Sequence, residues 1–420
     1  MRALLLPVGS HGDVLPMLGL GRALRQQGWQ VKALVSPVFE AAVQAAGLEF
    51  RPLGTREDYD RAQHDPDLHS LKRGLKAVGR VLEQYLQQSY DELILEIDNS
   101  FEPTVLIGTT LSFPIRLAQE VRGLPTVSVH LSPAVFRSNI RPPVLSPLGP
   151  LPGWLPRWLL AGFWWLSDRL LLDRFLGGPL NRMRARMGLK PVRGVMDAWM
   201  NQVDLALGLF PEWFFPPPPD WPANLQLTGF PLWDLDSDQA LSAELGQWLD
   251  EGEPPLIFTG GTAFATMKPF YESCVQAASI LGRRALVLTR HTSNLPDALP
   301  EYVRRVEYAP FSQLLPRAAA IVHHGGIGTV AQALAAGIPQ LVVPRAHDQF
   351  DNAHRVEVLE AGLWCRTASP ERIAEGLGEL LNNPHYRHLN FRVSSGLELA
   401  AQKITALANS QPNSESAFRR

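Results

Sequence analysis

Short apolar runs alternate with stretches of helical periodicity along most of the chain. Strands are predicted at residues 3–8, 31–36, 104–107, 126–130, 255–259, 284–289, 320–323 and 340–343. Helices are predicted near residues 14–28, 38–47, 71–98, 112–122, 265–281, 311–316, 328–336 and 350–361. Because strands that alternate with helices pair in parallel and are covered on both faces, we predict an α/β fold with two doubly wound, Rossmann-like sheets.

A proline-rich stretch separates the two halves of this pattern. Four consecutive prolines at residues 216–219 cannot join a helix or a central strand, and they hold the chain extended. We therefore predict an N-terminal domain at residues 1–215, a linker at 216–238 and a C-terminal domain at 239–408. The polar remainder, residues 409–420, is expected to be a disordered tail.

Composition narrows the function classes. With 39 basic and 41 acidic residues the formal net charge is −2, so nothing points to a nucleic-acid partner. The two cysteines, Cys274 and Cys365, lie far apart in sequence and form neither a disulfide framework nor a zinc site, a pattern that fits a cytoplasmic protein. The first apolar run is short and is followed at once by His11 and Asp13, which does not fit a signal peptide.

The most informative motif is His323-His324-Gly325-Gly326-Ile327-Gly328-Thr329. It follows a predicted strand and opens a predicted helix. Glycines at such a turn let backbone N–H groups and the helix dipole face an anion, and a histidine ahead of them can add a donor. The motif therefore predicts a seat for a diphosphate, although glycine-rich turns also occur where tight packing alone is needed.

The wider segment resembles the donor-binding motif of the family 1 glycosyltransferases. The resemblance rests on Tyr308-Ala309-Pro310, His324, Gly337-Ile338-Pro339, Pro344, Asp348-Gln349 and Asn352-Ala353, in that order. Near the N-terminus, Gly9-Ser10-His11-Gly12-Asp13-Val14-Leu15-Pro16 resembles the first strand–loop–helix of the branch that includes bacterial antibiotic and sterol glycosyltransferases. Within that branch the likeness is nearest to the rhamnosyltransferases of rhamnolipid synthesis. The resemblance implies a GT-B fold, two domains facing across a cleft.

By this resemblance Asp13 is the catalytic base. It follows the first strand of a parallel sheet, where ligands approach. The alternative is that Asp13 only caps a helix that begins near Val14, since aspartate is a favoured N-cap. His11 is the second candidate for the base.

The resemblance also assigns the donor site. His324 and the N–H groups of the glycine turn would bind the diphosphate, Tyr308 would stack on the nucleotide base, and Asp348 and Gln349 would bind the sugar hydroxyls. A second turn, Thr259-Gly260-Gly261-Thr262, would bring Thr262 to a phosphate. Plant members carry glutamate where this chain has Gln332. Glutamine can still form hydrogen bonds to the ribose hydroxyls, but without the contribution of a charge, so we expect weaker binding of ribose. The predicted donor-binding residues are Thr259, Gly260, Gly261, Thr262, Tyr308, His324, Gly325, Gly326, Gly328, Thr329, Gln332, Asp348 and Gln349.

No metal and no cofactor are expected, because neutral or cationic donors suffice for the leaving diphosphate. The Asp-x-Asp pattern of metal-dependent glycosyltransferases occurs at Asp65-Pro66-Asp67 and Asp234-Leu235-Asp236. Both lie in polar stretches without a preceding strand, so we interpret them as solvated turns.

Residues 151–180 are unusually rich in aromatic side chains and carry Trp154, Trp158, Phe163, Trp164 and Trp165 among many leucines. Charged residues interrupt the stretch before it reaches the roughly 20 apolar residues that a membrane span requires. Three interpretations stay open: a buried helical pair, an apolar wall of the acceptor pocket, or a face that contacts membrane. We predict that some of the tryptophans line the acceptor side.

The sequence thus predicts an inverting hexosyltransferase that moves a sugar from a nucleotide sugar to a small hydrophobic acceptor. UDP-glucose is the first donor and a dTDP-deoxysugar such as dTDP-rhamnose the second. One alternative is a nucleotide-sugar 2-epimerase of the same fold. The other is a catalytically silent binding subunit, against which the intact Asp13 and His324 argue.

Overall fold

The chain folds into two units, each built on one parallel sheet. The computed structural model describes residues 1–65, 67–68, 70, 73–234, 241–261, 267–388 and 390–410. The first unit comprises residues 1–143, 151–231 and those from 395 onward, and the second comprises residues 144–150 and 232–394.

The first sheet has the strand order β3-β2-β1-β4-β5-β6-β7, with every neighbouring pair parallel. Its strands are β1 (Arg2–Leu6), β2 (Gln30–Val35), β3 (Glu49–Pro52), β4 (Thr104–Thr109), β5 (Thr126–His130), β6 (Leu205–Gly208) and β7 (Leu225–Leu227). The four central strands β1, β4, β5 and β6 are buried at every position. Strands covered on both faces are mostly apolar, as β1, β4 and β6 are, whereas β5 buries the polar residues Thr126, Ser128 and His130.

Helices of the first unit connect these strands. They are α1 (His11–Gln26), α2 (Glu40–Ala45), α3 (Arg56–Gln63), α4 (Gly74–Asp98), α5 (Phe113–Arg122), α6 (Arg157–Ser167) and α7 (Gly178–Arg186). π-Helical turns at Asp168–Gly177 join α6 to α7, so the aromatic-rich segment is continuously helical from Arg157 onward.

The second sheet has the order β10-β9-β8-β11-β12-β13, again parallel throughout. Its strands are β8 (Leu256–Thr259), β9 (Ala285–Leu288), β10 (Val303–Val306), β11 (Ala320–His323), β12 (Gln340–Val342) and β13 (Gly362–Trp364). Its helices are α8 (Ala243–Asp250), α9 (Lys268–Leu281), α10 (Phe311–Leu314), α11 (Ile327–Ala336), α12 (Gln349–Val358) and α13 (Pro370–Asn382). The last helix, α14 (Leu397–Ser410), belongs to the first unit.

Both sheets reverse their strand order at one point. In the first sheet the reversal lies between β1 and β4, and in the second between β8 and β11. Ligands of open parallel sheets bind beyond the carboxyl ends of the strands at such a switch point. The loops after these four strands are therefore where a site is expected in each unit.

The predicted α/β class with two parallel sheets is confirmed, whereas the unit boundaries differ from the predicted domains. Residues 216–231 belong to the first unit, because the Phe215 ring stacks on Trp221 with centroids 4.7 Å apart and the Phe214 ring meets Phe230 at 5.1 Å. The predicted linker at 216–238 therefore does not begin at the prolines.

The C-terminal helix also departs from the predicted division. Instead of joining the domain predicted at 239–408, α14 returns to the first unit, where Trp29 Nε1 donates to Thr405 Oγ1 at 3.1 Å. Its apolar side buries Leu397, Ala400, Ala401 and Ile404. The helix also includes Asn409 and Ser410 from the predicted tail, and residues 411–420 lie outside the described part of the chain. Among the described helices, none is both long and apolar enough to cross a membrane.

Candidate active site

The loop after β1 is built around a glycine that no other residue can replace without strain. Gly9 has φ +138°, and a Cβ atom there would lie 2.2 Å from Asp13 Oδ2. Glycine is the residue that adopts this backbone conformation freely and leaves room for the carboxylate. The turn therefore brings Asp13 back against the end of β1.

Asp13 is held in a capping box. Its Oδ2 accepts from the Ser10 backbone N–H at 2.8 Å and from the Ser10 hydroxyl at 3.1 Å. Ser10 is the N-cap and α1 begins at His11, so the alternative interpretation, in which Asp13 is the N-cap of a helix that begins near Val14, is wrong. Asp13 instead occupies the third helical position, and its half-buried carboxylate is fixed at the switch point of the first sheet.

His11 lies beside this carboxylate in sequence but has a different environment. Its ring meets the edge of Phe39 at 4.7 Å, and Phe39 in turn meets Tyr59 at 5.3 Å. The ring therefore has an aromatic neighbour, whereas the Asp13 carboxylate has Ser10 as its neighbour. Of the two candidate bases, the carboxylate has its orientation set by two hydrogen bonds.

A polar cluster that the sequence analysis missed surrounds the same switch point. The Val8 N–H donates to Thr109 Oγ1 at 3.0 Å. Next to it, the Thr110 hydroxyl lies 3.0 Å from His130 Nδ1, and Ser128 Oγ lies 2.8 Å from His130 Nε2. Burial lowers the pKa of His130 to about 3. The sequence signal would have been polar residues directly at the ends of β4 and β5.

In the second unit the two glycine turns lie next to each other, because they follow the neighbouring strands β8 and β11. His323 pairs in register with Thr259. The buried His323 ring accepts from the Gly325 N–H at Nδ1, 3.1 Å away, and its Nε2 lies 3.0 Å from Gln340 Oε1. These two bonds place the proton on Nε2. His323 thus stabilises the turn from inside the sheet, as the alternation of side chains along a strand predicts.

The His324 ring fills the space between the two turns. A Cβ atom on Gly261 would lie 2.3 Å from His324 Cε1, and a Cβ atom on Gly326 would lie 2.6 Å from His324 Nε2. Both glycines are therefore required for the ring to fit. Burial lowers the pKa of His324 to about 4, so the imidazole is neutral near pH 7.

The N-terminus of α11 offers donors beside this ring. Gly326 is the N-cap, and no side chain in the described part of the chain caps the helix. Gly328 is exposed, and a Cβ atom built on it would meet nothing within 4 Å. Together with Thr329 in the same turn, it presents backbone N–H groups that suit an anion.

The predicted sugar-binding pair is connected to the glycine turn by Asn352, a residue of the motif to which the sequence analysis assigned no role. Asn352 Nδ2 donates to Gly325 O at 2.9 Å and to Asp348 Oδ2 at 3.0 Å. Gln349 Oε1 accepts from the backbone N–H groups of Arg345 and Ala346 at 2.9 and 3.1 Å. The Gln349 oxygen therefore holds the loop, and only its amide nitrogen remains suited to a ligand.

Gln332, one of the predicted donor-binding residues, has an unexpected carboxylate partner. Its Nε2 donates to Asp234 Oδ1 at 2.9 Å, and Asp234 Oδ2 accepts from the Ser312 N–H at 3.0 Å. Tyr308, three residues before α10, is 40% exposed. An acidic side chain is thus present next to Gln332, although not at position 332 itself.

Some predicted residues fall outside the described chain. Thr262 does, and so do Leu235 and Asp236 of the second Asp-x-Asp pattern. In the first pattern, Asp65 pairs with Arg80 at 2.7 Å and Asp67 with Arg73 at 3.0 Å, as in an ordinary surface turn. Searched over the described residues alone, the side chains form no group of three or more potential metal ligands; a metal-free reaction stays a prediction.

The aromatic-rich segment does not form a buried core. Trp154, Trp158 and Trp165 are 78%, 74% and 61% exposed, so the buried helical pair is wrong for these three. Trp164 is half-buried, with its Nε1 donating to Ser138 O at 3.4 Å. That some of the tryptophans line the acceptor side stays a prediction.

Acid should destabilise the fold through its buried histidines. Burial lowers the pKa of His130 and His323 to about 3 and that of His324 to about 4. Below about pH 6.5 these histidines bind protons in the unfolded chain but stay neutral in the folded protein. Their contribution to the free energy of unfolding is therefore fully present above about pH 6.5. It falls as the pH drops towards 4, by about 1.4 kcal/mol per pH unit for each histidine. Urea unfolding from pH 7 to 5 measures this slope.

A variant checks the source of this pH dependence. His130→Gln should give a shallower slope than wild type, whereas His385→Gln, which changes an exposed histidine, should leave it unaltered. Equal slopes for wild type and His130→Gln would contradict the assignment.

Comparison with known proteins finds related domains and sequences over most of the chain. Residues 3–137 match the glycosyltransferase family 28 N-terminal domain, and residues 283–406 match the C-terminal domain of erythromycin biosynthesis protein CIII-like. The chain is 33% identical over 358 residues to O-mycaminosyltylonolide 6-deoxyallosyltransferase of Streptomyces fradiae, covering 82% of this chain and 80% of the relative.

Two further similarities extend the comparison. A sterol 3-beta-glucosyltransferase of Arabidopsis thaliana is 26% identical over 361 residues, which are 83% of this chain and 57% of that protein. The crystal structure of the glycotransferase of kitacinnamycin superposes with a TM-score of 0.73 at 20% identity, covering 97% of this chain and 99% of that one. The structural likeness shows the GT-B fold.

Proposed function

The chain belongs to the family 1 glycosyltransferases of GT-B fold, in the bacterial antibiotic and sterol branch, and on this premise we propose that it is an inverting hexosyltransferase that uses UDP-glucose. As a member of this family it is a sugar-transferring enzyme. The observation that best supports a nucleotide-sugar donor is the His324 ring, which Gly261 and Gly326 enclose. It lies beside the N-terminus of α11, which no side chain among the described residues caps.

The proposed reaction is a single displacement. The Asp13 carboxylate takes the proton of an acceptor hydroxyl, and the acceptor oxygen bonds to the anomeric carbon. The bond from that carbon to the diphosphate oxygen breaks at the same time, and the nucleoside diphosphate leaves with the electron pair. His324 and the N–H groups of Gly328 and Thr329 stabilise the negative charge that develops on it.

The proposed acceptor is a small hydrophobic alcohol, in line with the O-mycaminosyltylonolide and the sterol in the names of the two relatives. The relative from Streptomyces fradiae transfers a 6-deoxy sugar by its name, which keeps a dTDP-deoxysugar as the second donor. The protein is proposed to act without a metal.

One experiment tests the function and separates it from the alternatives. Thermal shifts with UDP, dTDP and GDP should rank UDP first. The method can resolve the ranking because a ligand at about 100 times its Kd adds about 2.7 kcal/mol to the stability of the folded protein. UDP-glucose with a sterol should then yield a glucoside of inverted anomeric configuration, also in excess EDTA. Conversion of the donor sugar in the absence of an acceptor would favour the 2-epimerase. Nucleotide binding without turnover would favour the silent binding subunit. Activity that is lost in EDTA and restored by added metal would contradict the metal-free reaction.

Asp234 should decide how tightly ribose is bound. We propose that it supplies, beside Gln332, the carboxylate that accepts hydrogen bonds from the ribose hydroxyls. Asp234→Asn should weaken UDP binding by about 1.5–3 kcal/mol and dTDP binding by less, because deoxyribose has one hydroxyl fewer. Calorimetry with both nucleotides measures the difference.

An exchange of the two groups provides the control. Gln332→Glu alone places two carboxylates next to each other, and their repulsion should weaken UDP binding. The double variant Asp234→Asn/Gln332→Glu again pairs one amide with one carboxylate and should recover the UDP affinity. Equal affinities of UDP for wild type and Asp234→Asn would remove Asp234 from the site.

A further inference from the structure

The outward face of α6 and of the π-helical turns after it is apolar, the reverse of an ordinary surface helix. Trp158 and Trp165 lie on it two helical turns apart, and Trp154 precedes them, all three largely exposed. The same surface is extended by Leu159, Phe163, Leu166, Leu170 and Leu171. We call these eight residues the tryptophan ridge. Exposed apolar surface of this extent marks an interaction site.

The ridge is held in place from its other side. Leu160 is the one buried residue of α6, and the half-buried Trp164 and Asp168 follow it at helical spacing. The Arg137 guanidinium forms an ion pair with Asp168 and lies over the Trp164 ring, 5.6 Å from its centroid. These contacts tie one stripe of the helix to the first unit, so the ridge points away from it.

The charges around the ridge have one sign. The ridge and the turns after it, residues 151–174, contain three arginines and two aspartates, in a chain whose formal net charge is −2. Asp168 is paired with Arg137, and Asp173 accepts from the Gly194 and Val195 N–H groups at 3.1 Å. Both carboxylates are thus engaged by the protein, whereas Arg157, Arg169 and Arg174 are exposed. The rim of the ridge is therefore cationic.

The chemistry of the ridge fits lipid better than a protein partner. Protein interfaces carry about one hydrogen bond per 100–200 Å², but between residues 151 and 171 the one uncharged polar side chain is Ser167, which is half-buried. The ridge offers only rings, aliphatic groups and guanidinium groups. Tryptophan and leucine enter the boundary between head groups and acyl chains, and arginine meets the phosphates.

We propose that the tryptophan ridge binds the surface of an anionic lipid bilayer, with α6 lying in the plane of the interface. The apolar side chains insert into the head-group boundary and Arg157 and Arg169 contact lipid phosphates. The proposal does not depend on which sugar the enzyme transfers. If the acceptor is hydrophobic, as proposed above, this surface brings the first unit to the phase in which such an acceptor dissolves.

Co-sedimentation of the full chain with vesicles tests the proposal. The protein should pellet with vesicles of equal parts phosphatidylglycerol and phosphatidylcholine, far less with phosphatidylcholine alone, and less in high salt. Replacing Trp158 or Trp165 with Ser should lower the partition coefficient roughly tenfold each. Arg157→Gln and Arg169→Gln should each lower it about fivefold, on anionic vesicles only.

Phe101→Ser is the matched control, because Phe101 is 97% exposed and lies in the loop before β4, away from the ridge. It should pellet like wild type, and UDP binding should be equal in all variants. Sedimentation of a Trp158→Ser/Trp165→Ser variant like wild type would overturn the proposal. The proposal would also be overturned if the wild-type protein formed a dimer but bound no vesicles, and the double variant lost that dimer. A double variant with a raised KM for the acceptor and unchanged vesicle binding would overturn it as well. The wild-type salt and lipid dependence stands as a test even if that variant does not fold.

Discussion

Replacing Asp13 with Asn should lower turnover by roughly 100-fold or more while nucleotide binding stays near that of wild type. The amide keeps the size of the side chain but cannot take the acceptor proton, and general base catalysis commonly contributes 10²–10⁴-fold. Steady-state kinetics at saturating donor and calorimetry with UDP measure the two quantities. Turnover close to wild type would remove Asp13 as the base and direct attention to His11.

The chain contains a control for the structural role of the same residue. Asp58 sits in an equivalent capping box at the start of α3, where Oδ2 accepts from Thr55 N at 3.1 Å and Thr55 Oγ1 at 2.8 Å. Loss of such a cap costs about 0.3–1.5 kcal/mol. Asp58→Asn should show the stability loss alone, so a drop in turnover specific to Asp13→Asn isolates the chemical role. Equal turnover losses in the two variants would assign the effect to folding.

His324→Ala should weaken binding of the nucleoside diphosphate by about 1.5–3 kcal/mol, the loss expected for a hydrogen bond to a charged group. The neutral ring, with a pKa near 4, acts as an N–H donor rather than as a cation. The affinity should therefore vary little with the ionisation of His324 between pH 6 and 8. Calorimetry with UDP at both pH values measures this, and unchanged affinity in His324→Ala would make the residue structural.

Two further variants separate the role of His324 as a hydrogen-bond donor from the position of its ring. His324→Gln returns an N–H donor and should recover part of the lost affinity. Gly261→Ala leaves the histidine in place but forces it to move, because its Cβ would lie 2.3 Å from the ring and φ is +74°. This variant should lose stability and UDP affinity together, whereas Gly328→Ala, whose Cβ meets open space, should keep stability. Full UDP affinity in Gly261→Ala would show that the ring position is unimportant.

Much of the fold could be predicted because the central strands are buried on both faces. β5 and β11 coincide with the apolar runs at residues 126–130 and 320–323. Five short strands were missed, since a run of three or four residues has no period that distinguishes strand from loop. They are β7 and β13, three residues each, and β3, β6 and β10, four residues each. α14 was missed as well, and its packing on α1 depends on a partner surface far away in sequence.

For the site, local sequence determined what local backbone geometry requires. Glycines at 9 and 325 are needed for the left-handed turns, and the strand–turn–helix order places Asp13 and His324 at the ends of β1 and β11. The order of motif residues along the chain was enough to predict the family, since those residues are close in sequence.

Tertiary structure decided everything that depends on groups brought together from distant positions. Burial sets the low pKa of His324, and the fit of its ring needs Gly261 from another strand. The Asp234 carboxylate reaches Gln332 across 98 positions, and Asn352 joins Gly325 to Asp348. Exposure of the tryptophan ridge likewise depends on which stripe of α6 finds a partner. Composition determines that rings are present, but only packing determines which of them water reaches.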